Sequence, residues 1–237
     1  MAIDTDLPYG PQPLLRAFLY KADAALRRRG VTLHPASLAE LIELNRRHRD
    51  TWSPLVPLFD PHAGGVTTET GFALFGRNAA GEIVAAQGAR CYDWTASTLA
   101  AEFASLRMYY ADPARSARRG ERVRISAPSA AAIRGRVVFS GAGWYRPDFR
   151  GRLLSAILPR ISRALAYARW RSDCTIAMIT DPVLKGGMAR KAGYTRIEPS
   201  FELFNTRVGD YVRGALVWMP PRQLFDDLQR FVTEFDA

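Results

Sequence analysis

The stretch that most constrains the fold is residues 134–170, RGRVVFSGAGWYRPDFRGRLLSAILPRISRALAYARW. Residues 134–145 alternate toward an extended strand, and the Gly141-Ala142-Gly143 interruption marks a bulge or a close backbone approach. A short turn follows at once, and then an amphipathic helix over 151–170 carrying Leu154, Leu158, Ile161, Leu165 and Ala168. A strand that runs directly into a helix leaves bare amides at the helix start, where the helix dipole is positive. Such an end accepts anions, phosphate esters above all. Arg146, Arg150 and Arg152 surround it and can add charge-assisted hydrogen bonds.

The rest of the chain sets this unit in a mixed α/β order. Leu15, Phe18, Leu19, Ala22 and Leu26 repeat at helical spacing over 12–29, before Arg27-Arg28-Arg29 and Gly30. Residues 31–34 read as a short strand stopped by Pro35. Ser37 and Glu40 form a capping box for a helix over 37–49. Residues 50–70 read as a loop. Residues 71–94 read as a β-hairpin with its turn at 77–81. A helix over 96–110 precedes a basic, mobile loop over 111–130. A central strand over 175–180, a helix over 183–193, strands over 195–205 and 214–219, and a helix from Pro221 complete the order. No repeat or interdomain linker is visible, so one domain over 1–237 is expected. Within it, 1–30 is a helical extension, 95–130 an insertion or lid, and 221–237 a C-terminal helix.

Tyr145-Arg146-Pro147-Asp148-Phe149-Arg150-Gly151-Arg152-Leu153-Leu154-Ser155 resembles the acyl-CoA segment of the GNAT superfamily of N-acyltransferases, V-x-P-E-Y-R-G-Q-G-I-G-S-A-L-L. Residues 188–194, Met-Ala-Arg-Lys-Ala-Gly-Tyr, look like that family's L-Y-E-K-L-G-F. The resemblance spans about residues 31–205. It implies a GNAT-like fold: a central mixed, twisted sheet with a V-shaped splay, flanking helices, an extra N-terminal helix, and an insertion between the hairpin and the fourth strand. It implies acetyl-CoA or a longer acyl-CoA as acyl donor, without a metal. Its cofactor contacts fall at Trp144, Tyr145, Arg146, Arg150, Gly151, Arg152, Leu153, Leu154, Ser155 and Asp181. An amide near Trp144 or Tyr145 would polarise the thioester carbonyl. Three positions depart from the pattern. Leu153 stands at a glycine position, the family's thiolate-protonating tyrosine falls at Ala189 or Met188, and Asp181 replaces an asparagine. Tyr145 is then the candidate proton donor and Glu202 the candidate base. Glu198 alternates with Glu202 on a strand and should share its face, and Asp93 and Glu69 are comparable base candidates.

Other features narrow the alternatives. Lys and Arg number 33 against 23 Asp and Glu, a formal charge of +10. That balance admits anionic cofactors, an acidic acyl carrier protein or nucleic acid. The basic run from Arg115 to Arg124 has no interleaved aromatics, which argues against single-strand binding. Cys91 and Cys174 cannot build a disulfide framework and read as buried small hydrophobes. His34, His48 and His62 lack metal spacing, and His48 reads as a solvated helix residue. Asp148 reads as the cap of the following helix. No apolar run reaches the roughly 18 residues of a membrane span. The first residues have no basic-then-apolar leader pattern, so a cytoplasmic location is expected. The expected activity is acyl transfer from CoA, or from a phosphopantetheine carrier, to an amine on a small molecule or a protein. The alternative is a GNAT-fold binding or regulatory module whose cofactor site has decayed, with Leu153 and Ala189 as its signs.

Overall fold

A computed structural model describes residues 7–235. The expectations about the first residues' leader pattern and the last two positions lie outside that range. Helix α1 (Gln12–Arg28) buries Leu15, Phe18, Leu19, Ala22, Ala25 and Leu26 on one face. Strand β1 (Thr32–Ala36) runs through Pro35 rather than stopping before it. It is an edge strand, where a missing N–H leaves no ladder bond unmade. Helix α2 (Leu38–Arg47) starts at the expected capping box, with Glu40 N–H on Ser37 Oγ and Ser37 N–H on the Glu40 carboxylate. The expected loop that follows holds a short 3-10 turn and helix α3 (Pro61–Gly64). The hairpin β2 (Gly71–Arg77) and β3 (Ile83–Trp94) forms as expected.

The insertion departs from its sequence reading. Its helix, α4 (Leu99–Ala104), stops where Leu106 takes a left-handed φ of 63°. The segment read as a mobile loop contains α5 (Pro113–Ser116) and a strand, β4 (Arg122–Ile125), paired to the sheet. It is also pinned by side chains, Arg118 Nη1 donating to Thr206 O and Asn205 Nδ2 to Arg119 O. These partners lie some 80–90 residues away in the chain, so local pattern could not show them.

The central unit comes next: β5 (Gly135–Tyr145), α6 (Leu154–Trp170) and β6 (Cys174–Thr180). The expected helix over 183–193 splits into α7 (Asp181–Lys185) and α8 (Met188–Lys191) at Gly186-Gly187. Strands β7 (Arg196–Thr206) and β8 (Gly209–Met219) are longer than their sequence patterns, and α9 (Pro221–Glu234) closes the described chain.

The strands make one mixed sheet in the order β1-β2-β3-β5-β6-β8-β7-β4, with β5 and β6 its parallel neighbours. One face carries α1, α6 and α9 over a core that includes Phe18, Leu158, Ile161, Val217 and Leu228. The other face carries α2, the 3-10 turn and the insertion over Phe59, Phe139, Trp144, Ile176 and Leu216. Each large side chain so buried contributes roughly 1.5–3 kcal/mol.

Candidate functional site

Two irregularities of β5 create an opening in the middle of the sheet. Beside Gln87 of β3 the register slips, and two β5 residues, Ala142 and Gly143, stand opposite one. Ala142 takes a φ of 53°, the bulge that the Gly-Ala-Gly run suggested. Beyond it β5 turns away from β6. The two strands pair only at Val137–Cys174, Val138–Thr175 and Phe139–Ile176. From 140 to 145, β5 keeps β3 alone, and from 177 to 180, β6 keeps β8 alone. Two strand edges thus face each other unpaired, the V-shaped splay implied by the resemblance.

Backbone groups alternate sides along a strand. Arg146 N–H is given to Val84 O of β3, so Trp144 points the same way and the Tyr145 amide points into the gap. The Tyr145 carbonyl lies on that side too, and accepts from Arg150 Nε at 3.1 Å. Of the two amides considered from the sequence, Tyr145's is the one on the open edge.

The gap leads to the start of α6. Leu153 is its N-cap, at φ 59° and ψ 15°, and no side chain caps the helix. Asp148, expected as that cap, instead binds Arg146 through two hydrogen bonds of 2.7 and 2.8 Å. That ion pair holds the Asp148 carboxyl below its ordinary range. Among the described residues, the amides of 151–155 have no protein acceptor. Gly151 has a φ of 80° and open space around its α-carbon. Leu153 is 48 % exposed, so its side chain stands outside the gap rather than plugging it. Its left-handed backbone explains why glycine suits this position.

The arginines around this start differ in their engagement. Arg146 is shared between Asp148 and Glu82. Arg150 ties Tyr145 O to Thr51 O and so braces the loop after α2 against the end of β5. Arg152 is exposed, stacks 4.2 Å from Phe149 and donates to Arg29 O at 3.5 Å, so neither it nor Arg150 is tied to a carboxylate among the described residues.

A cavity of about 490 Å³ opens onto the gap, lined by Arg150, Ser155 and Tyr145 at one end and by Phe201, Leu203 and Val212 at the other. Trp144 is buried in its wall, stacks on Trp52 and His48, and donates from Nε1 to Thr51 Oγ1. His48, read as solvated, is therefore a half-buried packing residue. Tyr145 lines the cavity, but its ring packs toward the α6-side core. Its hydroxyl is buried without a hydrogen-bond partner, and burial pushes its pKa well up, so it stays protonated. Tyr109 falls within the helix expected over 96–110, which ends at Ala104. The left-handed turn at Leu106 instead sends it into the cavity wall, where Oη donates to Met178 Sδ at 3.3 Å.

The carboxylates expected as bases lie elsewhere. Glu198 and Glu202 do not share a face, because β7 bulges at Ser200 between Pro199 and Phe201. Glu198 pairs with Leu216 and Glu202 with Arg213, positions of opposite parity on β8. Glu198 accepts from Ser129 Oγ, Ser129 N–H and Trp218 Nε1. Burial raises its pKa, but those hydrogen bonds outweigh burial and hold it below the ordinary value. Glu202 takes the Tyr211 hydroxyl on the other face. Asp181 is bound by Arg213. Asp93 accepts from the Thr95 amide, and neither Asp93 nor Glu69 lines the cavity. Ala189 is buried in the α6-side core and Met188 lines the cavity. No group of three or more His, Cys, Asp or Glu placed to hold a metal occurs among the described residues. Burial pushes the Cys91 thiol up to about 11 and the Cys174 thiol to about 12, so both are unreactive packing groups. No helix of the described residues is long and apolar enough to cross a membrane.

No protein-family model and no curated protein sequence matches the chain. Solved structures are similar to it. Arabidopsis thaliana NAA60 in complex with acetyl-CoA is 10% identical, with 81% of this chain and 99% of that one covered and a TM-score of 0.47. A GNAT superfamily phosphinothricin acetyltransferase from Sinorhizobium meliloti, in complex with AcCoA, is 13% identical over 81% and 88%, with a TM-score of 0.45. The enzyme AAC(6')-Ib in complex with Parmomycin and AcetylCoA is 15% identical over 88% and 99%, also at 0.45.

Proposed function

We propose that this chain is a GNAT-type acyltransferase that moves an acyl group from a CoA thioester, or from the same phosphopantetheine arm on a carrier, to an amine. The carrying observation is the continuity of three features: bare amides at 151–155, an unpaired β5 edge, and a cavity opening onto both. The amides of 151–155 and the Arg152 guanidinium would hold a diphosphate. The open edge of β5 offers backbone partners to the pantetheine amides, as an added strand would.

The thioester supplies an acyl carbon already activated for attack. The Tyr145 N–H, aimed into the gap, would donate to the carbonyl oxygen as negative charge develops there, a contribution of about 3–4 kcal/mol in comparable sites. The amine nitrogen bonds to the carbonyl carbon, the C–S bond breaks, and the amine loses one proton while the departing thiolate gains one. The products are an amide and a free thiol, so the protein needs no covalent nucleophile. The Tyr145 hydroxyl is buried toward the α6-side core and burial makes it a weak acid, so the departing thiolate would take its proton from solvent at the open gap. The site is open at Gly151 and at Leu153, which supports the enzyme over the decayed module.

Acetyl-CoA should raise the melting temperature, because a ligand that binds only the folded chain stabilises it. Arg152→Glu should remove most of that shift while leaving the unliganded melting temperature within a few degrees. Tyr145→Phe should keep the shift and change kcat by less than about twofold, because the amide and not the buried hydroxyl faces the gap. Saturating acetyl-CoA and longer acyl-CoAs that leave the melting temperature unchanged would refute the assignment.

A further inference from the structure

The chemistry of the cavity also restricts the acceptor, an inference that rests on the acyltransferase reading. From the lining of this chamber we infer that the acceptor is an amine uncharged at neutral pH and carried on an apolar, aromatic body. The far walls are Trp52, Leu55, Phe139, Phe201, Leu203 and Val212. Among all described residues lining the cavity, Arg150 is the charged one, and it is a cation.

An alkylammonium entering here would meet positive charge and no carboxylate. Placing an unpaired ammonium in such a site is penalised by several kcal/mol. Four nearby acids are held elsewhere: Glu198 by Ser129 and Trp218, Asp181 by Arg213, Glu202 by Tyr211, and Glu121 by Tyr110 and the Arg118 amide. No lining residue can take a proton from an ammonium before attack. An aromatic amine arrives with its lone pair free and its flat ring suited to the walls beside the Trp52–Trp144 stack. Tyr109 supplies the polar anchor. Its hydroxyl hydrogen goes to Met178 Sδ, so its oxygen lone pairs remain to accept an amine N–H.

The test uses the full chain with acetyl-CoA and three acceptors: aniline, its saturated counterpart cyclohexylamine, and a polycationic aminosugar. Released thiol is followed from pH 6 to 8. The expected result is transfer to aniline at least about tenfold faster than to the others at pH 7, at a rate nearly independent of pH. Cyclohexylamine should gain about tenfold per pH unit, as its free-base fraction does. In parallel, aniline alone should quench tryptophan fluorescence, and Val208→Asp, at the half-exposed rim, should weaken that quenching about tenfold. Tyr109→Phe should raise KM for aniline and leave kcat nearly unchanged. Faster transfer to the aminosugar or cyclohexylamine at pH 7 would overturn the inference. So would octanoyl-CoA that is preferred over acetyl-CoA and displaces aniline, because the chamber would then hold the acyl chain. If no amine is acylated yet aniline still quenches and Val208→Asp abolishes this, acyl transfer falls and the chamber's preference stands. If aniline neither quenches nor reacts, the inference falls whatever acetyl-CoA does.

Discussion

Strand β6 has two neighbours and treats them differently. Toward β8 it pairs without a break from Thr175 to Thr180, and toward β5 it pairs at three residues before the strands part. The same backbone therefore forms a closed seam on one side and an open cleft on the other. The difference originates in β5, where the bulge at Ala142 and the glycines on either side redirect the strand. An interior sheet edge left bare in this way is a liability unless something binds it, which is why the gap reads as a site and the seam as scaffold.

The sharpest way to break this comparison is to add one methyl group on each side. At Gly214, in the seam, a Cβ would collide with the Ile179 carbonyl oxygen and meet Phe201 Cζ at 2.7 Å. Gly214→Ala should therefore cost about 3 kcal/mol or more, since backbone cannot move aside cheaply. At Gly143, on the open edge, the nearest atom is Gln87 Oε1 at 3.3 Å, the movable end of a side chain. Gly143→Ala should cost under about 1 kcal/mol. Denaturant midpoints would measure both, and equal losses would show that the splay closes in solution.

Glu198 sharpens the comparison on the seam side, where it fastens the insertion to β7 and β8 through Ser129 and Trp218. Its folded-state pKa is lowered, so its contribution is present above the unfolded value near pH 4.3 and is lost as pH falls through the lower folded value. Glu198→Gln should cost about 1–2 kcal/mol at pH 7 and flatten the fall in melting temperature below about pH 4.5. An unchanged acid profile would show that the carboxylate is unimportant to this fastening.

Leu153 on the open side should give the smallest effect. Its left-handed backbone is unfavourable by about 1–2 kcal/mol, while glycine adds unfolded-state freedom of roughly 0.5–1 kcal/mol. Leu153→Gly should then change stability by less than about 1 kcal/mol and leave the acetyl-CoA melting shift intact or larger. A loss above about 2 kcal/mol would mean that the leucine side chain packs where the gap should be.

Much of the scaffold was readable because its signals are local. The capping box at Ser37 and Glu40, the apolar stripes of α1, α6 and α9, and the hairpin at 71–94 all appear where residues a few positions apart demand them. The strand-to-helix junction with its uncapped amides at 151–155 was equally legible, since glycine, arginine and the end of a strand are neighbours in the chain. The insertion was not. Strand β4 is held by Phe201, Glu202, Leu203 and Phe204, about 80 residues away, and no periodicity within 111–130 announces such partners.

The chain alone determined the elements and the uncapped start of α6, because capping, periodicity and turn chemistry act over a few residues. Tertiary structure decided which amide faces the gap, which acids are engaged elsewhere, and that Tyr109 reaches the cavity. One-residue bulges at Ala142 and Ser200 set the first of these and the separate faces of Glu198 and Glu202, since a single extra residue in a strand reverses which face every later side chain takes, and the left-handed turn at Leu106 set the last.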